Sequence, residues 1–135
     1  MYSILFNDYN DYGKTGWKVI LQYLAELECT WLIDNYDGSH NEVNGFYSYE
    51  FMKSIIDGNS TIECRIGGYK TEPESVSLID DLKTQNCLCA VFCTDQCCFE
   101  IYSNSTDKLP VLLTELISSD IQEFEFSKKI YRTVF

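Results

Sequence analysis

Six consecutive residues, Leu88-Cys89-Ala90-Val91-Phe92-Cys93, carry no polar side chain except weakly polar thiols. In an extended chain successive side chains point to opposite faces, so this run needs cover on both sides, as a central strand has. Thr94-Asp95-Gln96 can then turn the chain into 97–102, giving a hairpin. A hairpin at this point supplies an antiparallel neighbour rather than a crossover, which argues against a doubly wound parallel sheet.

Other segments fit around this hairpin. Residues 2–6 form a short apolar run and read as a strand. Residues 14–27 place Trp17, Ile20, Leu21, Leu24 and Leu27 on one helical face, with Lys14, Lys18, Gln22 and Glu26 elsewhere. Cys29 to Ile33 reads as a strand ending at the turn-forming cluster Asp34-Asn35-Tyr36-Asp37-Gly38. Phe51, Met52, Ile55 and Ile56 share a face in a second helix over about 47–57, with Gly58 as its stop. Thr61 to Ile66 alternates polar and apolar, the period of a half-buried strand. Residues 76–84 suit a short helical turn. Leu109, Leu112, Leu113, Leu116 and Ile117 mark a helix near 107–118, in which Pro110 is tolerated only in the first turn. Ile121 to Phe126 alternates again, and Ile130 to Phe135 could form a last strand. The order predicts an α+β fold: a single globular domain over 1–135, with an antiparallel or mixed sheet and two to four helices packed mainly on one face.

Charge and length narrow the function classes. The 135 residues carry 10 Lys+Arg against 21 Asp+Glu, a formal charge of −11. Phosphate binding needs clustered cations, so nucleic acid is excluded as a direct partner and a basic protein is favoured. The first residues lack the positive segment and apolar core of a signal peptide, and no apolar run approaches the roughly 20 residues of a membrane span. The expectation is a cytoplasmic protein without membrane association, with a monomer assumed. In that compartment seven cysteines, an odd number, should be reduced thiols buried as small hydrophobes.

Each chemical motif has a simpler reading beside it. Gly13-Lys14-Thr15 imitates the end of a phosphate loop, but Asp8 stands where its first glycine belongs. Asp8-Tyr9-Asn10-Asp11-Tyr12-Gly13 imitates a calcium loop, but the position of the bidentate carboxylate is Val19. Cys87, Cys89, Cys93, Cys97 and Cys98 lie within twelve residues, yet along two strands rather than in the separated knuckles of a zinc site. A nucleophilic cysteine needs an activating base, and His40 is the single histidine, in a polar loop. Carboxylate pairs such as Glu72/Glu74, Asp80/Asp81 and Glu123/Glu125 are common on any acidic surface. No catalytic residue, metal ligand or cofactor site is assigned. An enzyme using the 87–98 thiols is kept as a less favoured alternative.

The acidity is uneven. Residues 1–50 carry 8 acidic against 2 basic side chains, 51–100 carry 8 against 4, and 101–135 carry 5 against 4. In the first 50 the acids interleave with aromatic residues, and the candidate partner contacts are Asp8, Asp11, Tyr12, Asp34, Tyr36, Asp37, Glu42, Tyr47 and Glu50. Tyrosine supplies contact area at low entropic cost, and carboxylates beside it steer and pair with Lys and Arg. The simpler reading is solvated loops whose tyrosines cover the core edge.

In size, acidity, the missing signal peptide, α+β order and the tyrosine-acid loops at 7–12 and 34–50, the chain resembles the small acidic immunity proteins of bacterial polymorphic-toxin and contact-dependent growth inhibition systems. The resemblance implies a cytoplasmic protein, not an enzyme, that binds a cognate toxin domain, often a nuclease, and blocks its active site or substrate groove. No contact residue is carried over from it. The alternative is a non-enzymatic adaptor or regulatory module binding another basic protein.

Overall fold

The computed structural model describes residues 1–9, 11, 13–37, 44–58, 63–95, 97–104, 108–119, 121 and 124–128, with backbone alone at 35–37, 124 and 126–128. The elements are β1 (Tyr2–Asn7), α1 (Lys14–Leu24), β2 (Thr30–Asp37), β3 (Gly45–Tyr47), α2 (Tyr49–Asp57), β4 (Glu63–Tyr69), α3 (Leu78–Lys83), β5 (Cys87–Thr94), β6 (Cys98–Ser103), α4 (Leu109–Ser118) and β7 (Phe124–Lys128). The strands form one sheet in the order β3-β2-β4-β5-β6-β1-β7. Every pairing is antiparallel. The fold is α+β, as the order of elements predicts.

The hairpin forms where the apolar run requires it, with β5 central and Thr94 opposite Cys98 across the turn. Asp95 takes a positive φ of 53° there, a conformation that Asp tolerates better than most side chains. Registers align Ile33, Ile66, Val91, Ile101 and Ile4 in a single row across five strands. All five are buried. Against this row pack Ile20 and Leu24 of α1, Met52 and Ile56 of α2, and Leu112 and Leu116 of α4. Pro110 lies in the first turn of α4, where its missing N–H costs no helical bond. Ser48 caps α2 by accepting the Phe51 amide at 3.3 Å, and the Tyr49 hydroxyl donates to the Leu21 carbonyl at 2.7 Å, tying α2 to α1.

Among the described residues, the opposite face is covered over one end only. There α3 sets Leu78 and Leu82 over Leu32, Tyr69, Cys87 and Ala90. Two adjacent glycines in β4 create the space on both sides. A Cβ on Gly67 would lie 2.5 Å from Leu78 Cδ1, and one on Gly68 would lie 2.8 Å from the Trp31 ring on the other face. Tyr69 donates its hydroxyl to Asp81 at 2.7 Å, which fixes α3 to the sheet.

Three sequence expectations are corrected. The segment 34–37, read as part of a turn, continues β2, and a one-residue register shift between Asp34 and Asp37 marks a bulge rather than an end. Alternation at 61–66 suggests a strand ending at Ile66, but β4 runs on through the glycine pair to Tyr69. Tyr47, read as the start of a helix, instead ends the edge strand β3 (Gly45–Tyr47), and α2 begins at Tyr49. The strand expected at 130–135 lies outside the described residues.

Gly16 is where α1 meets the sheet. A Cβ there would sit 2.5 Å and 2.9 Å from the Phe99 ring and 3.2 Å from Phe6. Phe99 cannot easily withdraw, since it stacks on Phe6 at 4.9 Å and meets the Trp17 ring edge-on at 5.3 Å. Replacing glycine by alanine in a helix gains at most about 1 kcal/mol of propensity, whereas overpacking costs about 1–3 kcal/mol. Gly16→Ala is therefore expected to lower the urea midpoint at unchanged m-value. A variant as stable as the parent would contradict the packing of α1 described here.

Candidate functional site

The face opposite α1, α2 and α4 carries a second row. Registers align Asp34, Arg65, Phe92, Glu100, Leu5 and Glu125 across six strands. These side chains point away from the aliphatic row because each stands one residue from one of its members or, on β7, one from Phe126, opposite Ile4. The Arg65 guanidinium lies over the Phe92 ring, 5.8 Å from its centroid. Phe92 meets Tyr102 edge-on at 5.6 Å, and the Tyr102 hydroxyl donates to Glu100 Oε2 at 2.8 Å. Where α3 stops short of covering the sheet, these residues bound a groove of about 440 Å³. Met1, Ile79 and Leu82 form its apolar wall, and Glu63, Glu100 and Arg65 its charged lining. It falls within the size range of about 300–1,000 Å³ usual for ligand sites.

A second cleft, of about 640 Å³, lies on the helical side between α1 and α2. Lys14, Lys18 and Lys53 line it, over a floor that includes Trp17, Leu21 and Ile56. Asp57, the acidic lining residue among those described, is 3.2 Å from Lys53. The two concavities thus differ in the sign of their charged lining.

The nine candidate contacts are not brought into one surface. Asp34 belongs to the acidic row of the open sheet face. Tyr47 stands opposite Trp31 in register, on the helical side, where it stacks on Phe51 at 5.1 Å. Glu50 is exposed in the first turn of α2, a favourable place for a carboxylate. The side chains of Tyr12, Tyr36, Asp37 and Glu42 lie outside those described.

Asp8 and Asp11 have structural tasks. Asp8 is 4% exposed. Its Oδ2 accepts the Gly16 amide at 2.8 Å, its carbonyl accepts the Gly13 amide at 3.2 Å, and its own amide donates to the Cys97 carbonyl at 2.8 Å. Buried and bonded in this way, Asp8 is corrected from a surface contact to a helix-start anchor. Asp11 accepts the Thr15 amide at 3.2 Å and the Thr15 hydroxyl at 2.5 Å. Burial raises the Asp11 carboxyl, but hydrogen bonds from the Thr15 hydroxyl, the Asp8 side chain and the Thr15 amide, with the Lys14 charge nearby, outweigh it and hold the group below the ordinary carboxylate value. The segment that imitates calcium and phosphate loops therefore serves as the N-terminal cap of α1. Gly13, with φ of 88°, makes the turn into the helix.

The cysteines divide between environments. Cys89 and Cys93 face the helical side, while the irregular register at Gly68/Tyr69 turns Cys87 toward α3. Burial is the main cause that pushes the thiols up, to about 11 for Cys29 and about 12 for Cys87 and Cys93, and upward also for Cys64, Cys89 and Cys97. A nucleophile or metal ligand is the thiolate, so these six sulfurs are poorly prepared for either role. Among the described residues no group of three His, Cys, Asp or Glu side chains is placed to hold a metal ion. Histidine 40, the one available imidazole, is not among them.

Open-face residues beyond Asp34 were not legible as a site. Arg65, Phe92, Glu100 and Tyr102 come together only through strand register, and Phe92 sits inside a run that reads as core. The one local signal is the alternation along 98–103, which puts Glu100 and Tyr102 on the same face. Comparison with known proteins finds no matching family model, curated protein or solved structure. No helix among the described residues is long and apolar enough to cross a membrane.

Two outcomes test these placements. A carboxyl with a depressed folded pKa adds stability above its unfolded value, near 3.9, and that stability is lost as pH falls through the folded pKa. Asp11→Ala should lower the urea midpoint at pH 7, corresponding to about 1 kcal/mol for a lost cap, and the gap to the parent should narrow below about pH 4. A gap independent of pH would contradict the role given to the Asp11 charge. Thiol labelling at pH 8 should be fastest at the partly exposed Cys98, slow at Cys29, which is partly exposed but has its thiol pushed up to about 11, and reach all seven after unfolding. Rapid native labelling of Cys64 or Cys89 would overturn the burial described for them.

Proposed function

We propose that the chain is an immunity-type inhibitor, not an enzyme, that acts in the cytoplasm by binding and neutralising a basic toxin domain, with a nuclease the class that its charge suits best. The observation that carries this reading is the open sheet face, where Asp34, Glu100 and Glu125 stand in one register row with Phe92, and Tyr102 and Glu63 lie beside it. Carboxylates around rigid aromatic rings match the lysines and arginines with which a nuclease holds phosphate. The net charge of −11 adds long-range attraction that speeds encounter at low salt. An adaptor for some other basic protein would use the same surface. Growth rescue separates the two, since only an inhibitor protects a cell from its partner.

The test is co-expression with the product of the gene immediately upstream. The expected outcome is rescue of growth and co-purification of the two chains. Charge reversal at Asp34 and Glu125 together should slow association about tenfold or more and flatten its salt dependence, while reversal at Glu50, on the helical side, should change little. Equal loss from both sets, or none from either, would remove the sheet face from the reading.

A further inference from the structure

We infer that the groove beside Phe92 and Tyr102 is an arginine receptor: it takes one arginine side chain projected by the basic partner. This deepens the proposed function and rests on it. Among the described residues the groove lining holds two carboxylate side chains against one guanidinium, and Asp34 and Glu125 extend the same row with further negative charge. An apolar ligand would strip water from Glu63 and Glu100 without replacing its hydrogen bonds, which is unfavourable. An anion would meet an excess of like charge. A cation with an apolar stem satisfies both parts of the lining, because Met1, Ile79 and Leu82 can cover the stem while the carboxylates receive the head.

Three features favour a guanidinium over an ammonium. Arg65 already lies over one face of Phe92, so the ring holds a guanidinium within the protein itself, and an incoming one is received beside it by the carboxylates. Tyr102 donates to only one oxygen of Glu100, and a carboxylate has about four acceptor positions. Glu100 is thereby oriented and still able to accept the paired N–H groups of a planar guanidinium. Phe92, held between Arg65 and Tyr102, is a fixed apolar floor beside the carboxylates, and guanidinium, more weakly hydrated than ammonium, loses less on leaving water.

The test uses the full chain and N-acetyl-arginine amide, titrated by amide chemical shifts, with N-acetyl-lysine amide and N-acetyl-norleucine amide for comparison. Saturable shifts should cluster at Arg65, Phe92, Glu100 and Tyr102, with the lysine compound at least about threefold weaker and the norleucine compound without saturation. Glu100→Gln, which keeps an acceptor for Tyr102, should weaken arginine binding about fivefold or more, and Phe92→Leu should weaken it while keeping the apolar volume. Unchanged amide dispersion in each variant establishes that the fold is intact. Shifts outside the groove, equal response to lysine, or indifference to Glu100→Gln would overturn the inference. A partner that co-purifies equally with the parent and with Glu100→Gln would also overturn it, while leaving the inhibitor reading in place. Arginine binding in the groove with no growth rescue and no co-purifying chain would sustain the receptor and remove the inhibitor.

Discussion

The row Ile33, Ile66, Val91, Ile101 and Ile4 is the interaction on which the remaining structure depends. Because these residues stand opposite one another on five successive strands, they form an unbroken aliphatic strip, and burying it fixes the register of every strand that contributes to it. A slip of one residue would exchange that strip for Asp34, Arg65, Phe92, Glu100 and Leu5. The penalty is large, because an aspartate, an arginine and a glutamate would be forced beneath three helices without water. Register is therefore set as strongly by what the opposite row excludes as by what the aliphatic row gains.

Helix placement follows from the same asymmetry. With α1, α2 and α4 on the aliphatic side, the other face has, among the described residues, only the six-residue α3 to cover it, and the glycine pair in β4 determines where α3 can sit. Leu78 occupies the space that a Gly67 side chain would fill, and Trp31 occupies the corresponding space at Gly68. Covered at that end and bare at the other, the sheet leaves a step, and the groove over Phe92 is the inner corner of that step. The site is thus a consequence of incomplete coverage. It needs no special loop or strained residue.

Much of the fold was legible in the sequence because burial patterns are local. The doubly apolar run at 88–93 identifies a central strand, α1 shows its face through Trp17, Ile20, Leu21 and Leu24, and Pro110 marks the start of α4. Features set by contacts between distant segments were not. The alternation that marks β4 in the sequence stops at Ile66, before the glycine pair, and glycine weakens strand interiors. Only the Leu78 and Trp31 side chains, more than ten and thirty residues away in sequence, explain why glycine is required there. Asp34 to Asp37 reads as a turn by composition, but pairing with β4 outweighs that preference and leaves a bulge. For the candidate site, Asp34 was legible and Arg65, Phe92, Glu100 and Tyr102 were not. Asp8 and Asp11, in an acid-tyrosine segment suggestive of a contact loop, prove to serve the start of α1.

Net charge acquires a direction once these assignments are made. Asp8 is buried against a backbone amide, and Asp11 is committed to Thr15, so neither adds much to an outward field. Three lysines at the α1/α2 cleft offset the acidity of the helical side. The open sheet face, by contrast, has Asp34, Glu63, Glu100 and Glu125 with Arg65 among them. Arg65 itself lies over Phe92, where the ring face partly balances its charge. An approaching cation would therefore sense a net negative strip with an aromatic floor. The biased count places the acidity in the first 50 residues of the sequence, whereas three of the four acids on the open sheet face, Glu63, Glu100 and Glu125, come from beyond them. Strand order decides where it is expressed, because β2, β4, β6 and β7 each bring one acid to the same face from distant parts of the chain.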